Sequence, residues 1–314
     1  MSDPALSVVV ATRVRPERLA GLLESLRAQT LAEPFEVVVV DDGAAAETAA
    51  VLERERGELD LRALAGDGQG PARARNRGWR AARGSWIAFT DDDCEPATDW
   101  LERLLGAARA NPGAIVQGPT RPIPRELERL GPFARTRSIT EPGPWFETCN
   151  IAYEAELLAR LDGFDEAFAE ALGEDTDLGW RAVGLGAGHV WVEDAVVHHA
   201  VDELGPVGTV RAALRGSDSV LAFRRHPALR ERTLRWGVVR NPALPKLGLA
   251  VAGVALSRRR RTFALLALPY ARDLATRCRH FGAGPLDAPW YVAADLAAAL
   301  SSLRGSARHR RLVL

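Results

Sequence analysis

Three consecutive carboxylates, Asp91-Asp92-Asp93, close the apolar run Ser85-Trp86-Ile87-Ala88-Phe89-Thr90. Like charges so close repel by roughly 1–4 kcal/mol per pair between bulk-water and surface dielectric, and a bound cation relieves that repulsion. Hard oxygen ligands at a strand end suit Mg²⁺ or Mn²⁺ held against a phosphorylated ligand. The plainer alternative is an acidic turn in which Asp93 caps a helix around Trp100 to Ala108. A second pair, Asp41-Asp42, follows Phe35-Glu36-Val37-Val38-Val39-Val40, and a third group, Glu174-Asp175-Thr176-Asp177, sits at an acidic helix start.

The elements that must position these acids alternate. Strand patterns at Leu6 to Ala11, Phe35 to Val40, Leu59 to Leu64 and Trp86 to Thr90 are separated by helical ones, which implies parallel βαβ units with buried strands. Pro16 suits the first turn of a helix whose Leu19, Leu22, Leu23 and Leu26 form one core-facing stripe. The acid groups after strands two and four then share the carboxyl edge of one sheet, where ligands of open α/β folds bind. A Pro- and Gly-rich stretch from Asn111 to Pro144 reads as an irregular excursion with a strand at Ile115 to Gln117. A helix near Glu154 to Leu161 and strands at His189 to Val192 and Ala195 to His198 follow.

Beyond His199 the pattern becomes Arg- and Ala-rich and helical, which puts a boundary near residue 203: a sheet domain over 1–203 and a helical region over 204–314. Two apolar stretches there, Leu247 to Leu256 and Phe263 to Leu268, flank Arg258-Arg259-Arg260-Arg261. Neither approaches the ~20 residues that span a bilayer. Packing against the sheet domain with solvated arginines is the favoured reading, and peripheral contact with an anionic membrane is the other.

Composition narrows the class. An apolar fraction of 47% over 314 residues supports a buried core, and a formal net charge of zero argues against nucleic-acid binding by bulk electrostatics. Cys94, Cys149 and Cys278 are far apart and lack CxxC spacing, so neither a zinc site nor a disulfide framework is expected. A strand pattern beginning at Leu6 leaves no room for a signal peptide, and the expected location is the cytoplasm, peripherally on the inner face of the plasma membrane if the helices touch lipid.

Seven motifs in order carry a resemblance: Ser7 to Thr12, Val38 to Gly43, Ala74-Arg75-Asn76-Arg77-Gly78, Ile87 to Asp93, Asn150-Ile151-Ala152, Gly163-Phe164-Asp165-Glu166 and Glu174 to Leu178. Over about residues 5–200 the chain resembles family 2 glycosyltransferases, bacterial inverting enzymes of the GT-A fold that use nucleotide diphosphate sugars. The resemblance implies a mostly parallel central sheet flanked by helices, here with a C-terminal helical extension. It also implies a divalent cation, Mg²⁺ or Mn²⁺, a UDP-, GDP- or dTDP-linked donor, and a saccharide, lipid-linked or small-molecule acceptor.

Residue by residue, the resemblance implies that Thr12 with Asp41 or Asp42 holds the nucleoside. Asp91 and Asp93 match the DxD pair, with Asp93 the direct metal ligand and Asp92, grouped with the nucleotide contacts, facing elsewhere because strand residues alternate. Arg75 and Asn76 match the pair beside the diphosphate, the guanidinium steadying phosphates and the amide meeting sugar hydroxyls. Glu174-Asp175 matches the acid pair whose Asp takes the proton from the acceptor hydroxyl. Asp177 as a cap, or an acidic first turn favoured by the helix dipole, is the alternative. His199, in preference to His198, matches a third metal ligand, against the commoner role of a satisfied histidine. Asn150, Trp145 and Trp180 are candidate acceptor or sugar contacts, although tryptophans more often pack in cores.

The chain departs from the pattern at Val14, where family members often carry Asn, and at Ala44-Ala45-Ala46, where Ser and Asp are common. These losses touch nucleotide contacts. Two other classes compete: a noncatalytic nucleotide-sugar or glycan-binding protein that retains the fold, and a nucleotidyltransferase. The latter calls for a Gly-rich loop after strand one, and Ala11 to Pro16 contains no glycine.

Overall fold

The computed structural model describes residues 3–168, 170 and 172–314. They form two compact units, Met1–Glu126 with Thr136–Ala200, and Leu127–Arg135 with Val201–Leu314. The strands are β1 (Leu6–Thr12), β2 (Phe35–Asp41), β3 (Leu61–Ala65), β4 (Trp86–Phe89), β5 (Cys94–Pro96), β6 (Ile115–Gln117), β7 (Thr120–Pro122), β8 (Ala134–Arg135), β9 (Ile151–Glu154), β10 (His189–Trp191), β11 (Val197–His199) and β12 (Asp202–Glu203). The helices of the first unit are α1 (Pro16–Arg27), α2 (Ala46–Glu55), α3 (Pro71–Ala81), α4 (Trp100–Ala110), α5 (Ala155–Leu161) and α6 (Glu174–Gly184).

A seven-stranded sheet runs β10-β6-β9-β4-β1-β2-β3. The expected α/β architecture is present: β1 pairs in parallel with β2 and β4, β2 with β3, and β10 with β6. The exception is β9, antiparallel to both β4 and β6. Its four residues run directly into α5 at Ala155, so they merge with the helix pattern and the sequence indicates no strand there. β1 lies inside the sheet between β4 and β2 with Val8, Val9 and Val10 fully buried, as expected of a strand covered on both faces. The Leu19, Leu22, Leu23 and Leu26 stripe of α1 packs with Val8, Val10, Val37 and Val39 in one cluster. Truncating one of those leucines to Ala costs about 2–5 kcal/mol.

A small sheet, β5-β11-β7, lies within the same unit. Its pairing sets His199 against Cys94 across β11 and β5, and the Ala200 N–H donates to the Asp93 carbonyl at 2.9 Å. A histidine more than a hundred residues downstream is thereby fixed beside the carboxylate turn.

The second unit is helical: α7 (Gly205–Ala213), α8 (Ser219–Arg225), α9 (Pro227–Thr233), α10 (Ala243–Ser257), a 3-10 segment (Arg261–Ala267), α11 (Leu268–His280) and α12 (Ala288–His309). Residues 127–135, which the sequence leaves inside 1–203, belong to this unit. There β8 pairs with β12, Tyr291 donates to the Pro132 carbonyl at 2.7 Å, and Phe133 packs on Tyr291. Among the described residues no helix is long and apolar enough to cross a membrane.

Candidate active site

Register brings the first contacts together. β1 and β4 align Val9 with Phe89, so three further residues carry Asp92 to the level of Thr12, whose hydroxyl donates to it at 2.7 Å. β4 ends at Phe89, however, and Asp91 to Asp93 form a turn in which the Cys94 N–H reaches the Asp91 carbonyl at 3.2 Å. Strand alternation therefore does not apply, and Asp92 does not face away from Asp93. Arg15 donates to both, at 3.4 Å to Asp92 and 2.6 Å to Asp93. Burial, then the Asp93 charge, pushes Asp92 up to about 6 against the opposing effects of Arg15 and Thr12.

Asp91 turns toward α3. Arg75, buried on that helix, donates to Asp91 at 2.8 Å and to Glu174 at 2.9 Å, so one guanidinium ties the carboxylate turn to the start of α6. Burial works to raise Asp91, but the charges of Arg75 and His199 outweigh it and hold the carboxyl below its ordinary range. Glu174 goes the other way: burial, then repulsion from Asp175, lifts it to about 7 despite Arg75. Asp175 is also raised by burial, with the Thr176 N–H and the charges of Arg75 and Arg137 opposing. Its Oδ1 accepts the Thr176 N–H at 2.7 Å, and among the described residues its Oδ2 has no hydrogen-bond partner. Glu174, Asp175 and Asp177 all lie in the first turn of α6, where the helix dipole favours negative charge. Asp177 is committed to Arg181 at 2.7 Å, and Arg181 in turn holds the Leu161 and Gly163 carbonyls.

The corner at the end of β2 is built by Asp41 and Asp42. Asp41 accepts the N–H groups of Gly43 and Ala44, closing a tight turn. Asp42 accepts those of Gly68 at 2.8 Å and Gly70 at 3.1 Å, clamping the loop that leads into α3. Gly66 is required there, because an added Cβ would lie 2.6 Å from Asp42 Oδ1.

Asp93, Cys94 and His199 bring one ligand atom each within 4.8 Å of one another. His199 Nδ1 lies 2.9 Å from the Ala200 carbonyl, which only accepts, so Nδ1 donates there, and Nε2 lies 3.5 Å from Asp93 Oδ1. A ligating histidine is oriented by just such a bond on its other nitrogen. The donor set fits a divalent cation, and the imidazole suits Mn²⁺ better than the all-oxygen preference of Mg²⁺. Asp91 lies outside this group of three, while Cys94, which the sequence sets aside for want of CxxC spacing, lies within it.

The chain matches the glycosyl transferase family 2 profile over residues 7–158. It is 32% identical over 211 residues to the succinoglycan biosynthesis protein ExoM of Rhizobium meliloti, covering 63% of this chain and 67% of that one. The chain belongs to glycosyl transferase family 2. Validoxylamine A glucosyltransferase of Streptomyces hygroscopicus is 29% identical over 263 residues, and this family 2 chain spans 62% of that protein's length. Among solved structures, a Pyrobaculum calidifontis mannosyltransferase in complex with GDP-Man and Mn²⁺ superposes with a TM-score of 0.66 at 22% identity, over 97% of this chain and 88% of that one. TarS of S. aureus in complex with UDP gives 0.52 at 18%, over 98% and 92%. At these identities the likeness is one of fold, and it is the GT-A fold.

Three expected contacts of this family 2 chain, Asn150, Asn76 and Trp180, differ from the sequence reading, and Trp145 does not contradict it. Asn150 is fully buried, its amide donating to the Pro119 and Ala195 carbonyls at 2.8 Å each and its oxygen accepting from Trp100 at 2.8 Å, so it braces the core and meets no sugar. Asn76 is likewise committed, to Phe164, Glu166 and Trp79. Gly163 makes that packing possible, since at φ +69° an added Cβ would overlap Asn76 and Trp79. Trp180 is buried edge-on against Phe146 and donates to the Pro144 carbonyl at 3.0 Å. Trp145 is half-buried, and its carbonyl accepts the Thr176 hydroxyl at 2.9 Å. Sequence reasoning also missed Arg15, Arg137 and Glu147, whose charges act on the acids of the rim. Only Arg15, in the short loop between β1 and Pro16 at the start of α1, had a local signal that could have found it.

Proposed function

We propose that this chain moves a sugar from a nucleotide diphosphate donor to an acceptor hydroxyl with inversion at the anomeric carbon. The supporting observation is the Arg75 bridge, which couples the Asp91 turn to the Glu174-Asp175 helix start. The donor is UDP-, GDP- or dTDP-linked, and the acceptor is a saccharide, a lipid-linked group or a small molecule. The relatives' names, a glucosyltransferase among them, and the GDP-Man and UDP bound by fold neighbours support the donor class. We infer a cytoplasmic site of action, consistent with three buried cysteines that are free.

Asp93 and His199, with Asp91 beside them, would hold Mg²⁺ or Mn²⁺, which when bound stabilises the charge that develops on a departing diphosphate. The chain's own residues divide the remaining work. Thr12 and Asp41 stand at the β1 and β2 ends to meet the nucleoside, while Asp42 fixes the adjoining loop. Asp175 acts as base: Oδ2 takes the acceptor proton as the acceptor oxygen bonds to C1, and the C1–O bond breaks with its electron pair leaving on the diphosphate. The Thr176 N–H holds this carboxylate in place through Oδ1. Burial makes Asp175 a stronger base than a solvated carboxylate, and Arg75 keeps enough positive charge nearby for it to ionise.

Thermal shift with UDP-, GDP- and dTDP-sugars, with and without Mn²⁺, identifies the donor, because ligands that bind the native state raise its melting temperature. NMR of the product is expected to show the opposite anomeric configuration to the donor. Retained configuration overturns the inverting mechanism. Binding of a donor that is never consumed favours the noncatalytic reading.

A further inference from the structure

The helical unit carries an exposed apolar surface that includes none of the residues proposed above for glycosyl transfer. The inner stripe of α10, Leu247 and Ala250, packs with Tyr270, Ala267, Leu274 and Val292, and Gly253 lets the Phe263 carbonyl approach within 2.7 Å of where a Cβ would stand. An ordinary surface helix is polar on its outer face. Here the outer face is Leu249, Val251, Val254 and Leu256, exposed at 48%, 56%, 63% and 38%, and no polar side chain occurs from Leu247 to Leu256. The segment that follows exposes Phe263, Leu265, Leu266 and Leu268 as well.

Arg258, Arg259, Arg260 and Arg261 join the two apolar pieces, all exposed and, among the described residues, without a carboxylate partner. No Asp or Glu occurs between Glu231 and Asp273, and Asp273 is already taken by Lys246 and Arg277. Exposed apolar area of this extent marks an interaction surface, and its border of uncompensated positive charge selects an anionic partner. A second copy of the chain is disfavoured, since pairing like faces would bring two arginine runs together. At 15 residues α10 is about 22 Å long, short of the ~30 Å hydrocarbon core, so it can lie in a bilayer but not cross it.

We propose that α10 and the segment through Leu268 seat this protein on an anionic lipid bilayer, apolar side chains in the acyl boundary and Arg258 to Arg261 on lipid phosphates. The proposal stands apart from the catalytic reading and survives its failure. Co-sedimentation of the full chain with vesicles is the test, using phosphatidylcholine alone or phosphatidylcholine with phosphatidylglycerol. Binding is expected only with the anionic lipid and is released by salt. Replacing all four arginines with Gln is expected to lower partitioning by roughly 10²–10³-fold. Leu249→Ser with Val254→Ser is expected to lower it at least ~10-fold, with an unchanged melting curve showing that the fold is intact. Three outcomes overturn the proposal: no pelleting with either vesicle, equal pelleting with both, or a concentration-dependent dimer that Val254→Ser dissolves.

Discussion

Each unit of this chain buries a group of carboxylates and guanidinium ions, and the two groups are put together differently. In the helical unit Asp295 accepts from the Tyr270 hydroxyl at 2.7 Å and from Arg277 at 2.5 and 3.1 Å, while Arg277 and Lys246 share Asp273. Two acids meet two cations. At the sheet rim the arginines that form ion pairs with Asp91, Asp92, Asp93 and Glu174 are, among the described residues, Arg15 and Arg75, with His199 beside Asp93, and burial drives Asp92, Glu174 and the neighbouring Asp175 upward. Matched charge fastens helices. Surplus negative charge is costly to fold, and such a surplus is typical of sites that bind a cation or move a proton.

Substitutions can break or sharpen that contrast. Asp175→Asn should lower donor turnover by roughly 10²–10⁴-fold while donor affinity stays near its starting value, as for loss of a general base. Because this change removes a buried charge from a crowded site, the urea midpoint should hold or rise; a clear fall would mean that Asp175 serves the fold. Arg75→Met should cost about 3–5 kcal/mol in urea unfolding, since Asp91 and Glu174 lose their shared partner. In the matched unit the signs reverse: Asp295→Asn should cost about 1–3 kcal/mol by weakening its bonds to Arg277 and Tyr270, yet leave donor turnover unaltered.

A pH series resolves the smallest effect. Glu174 titrates near 7 in the folded chain against 4.5 for an ordinary glutamate, so the native state holds its proton more tightly than the unfolded state. The resulting stability is fully present below about 4.5 and is lost as pH rises through about 7, a change of about 1–3 kcal/mol. The difference in unfolding free energy between wild type and Glu174→Gln should therefore vary across that window. A constant difference would show that Glu174 is not shifted.

Local features were legible in the sequence and non-local pairings were not. The leucine stripe of α1, the apolar runs of β1 and β2, and the acids at the ends of β2 and β4 all carry their signal within a few residues. By contrast β5, β7 and β11 are three residues each, and nothing in them announces that β11 will set His199 beside Cys94 and Asp93. The same limit hid β9 and the bracing role of Asn150, whose partners lie 31, 45 and 50 residues away. The side that Asp92 takes was misjudged because alternation was carried past the last strand residue, Phe89, into a turn.

Calorimetric titration of UDP and GDP into the full chain, with and without Mn²⁺, probes the rim most directly. One nucleotide should bind at least ~10-fold more tightly with Mn²⁺, and Asp93→Ala should abolish that gain, as expected when a carboxylate ligand is removed. Equal affinity with and without the ion in the wild-type chain would contradict the assignment of this rim to a metal-bound donor.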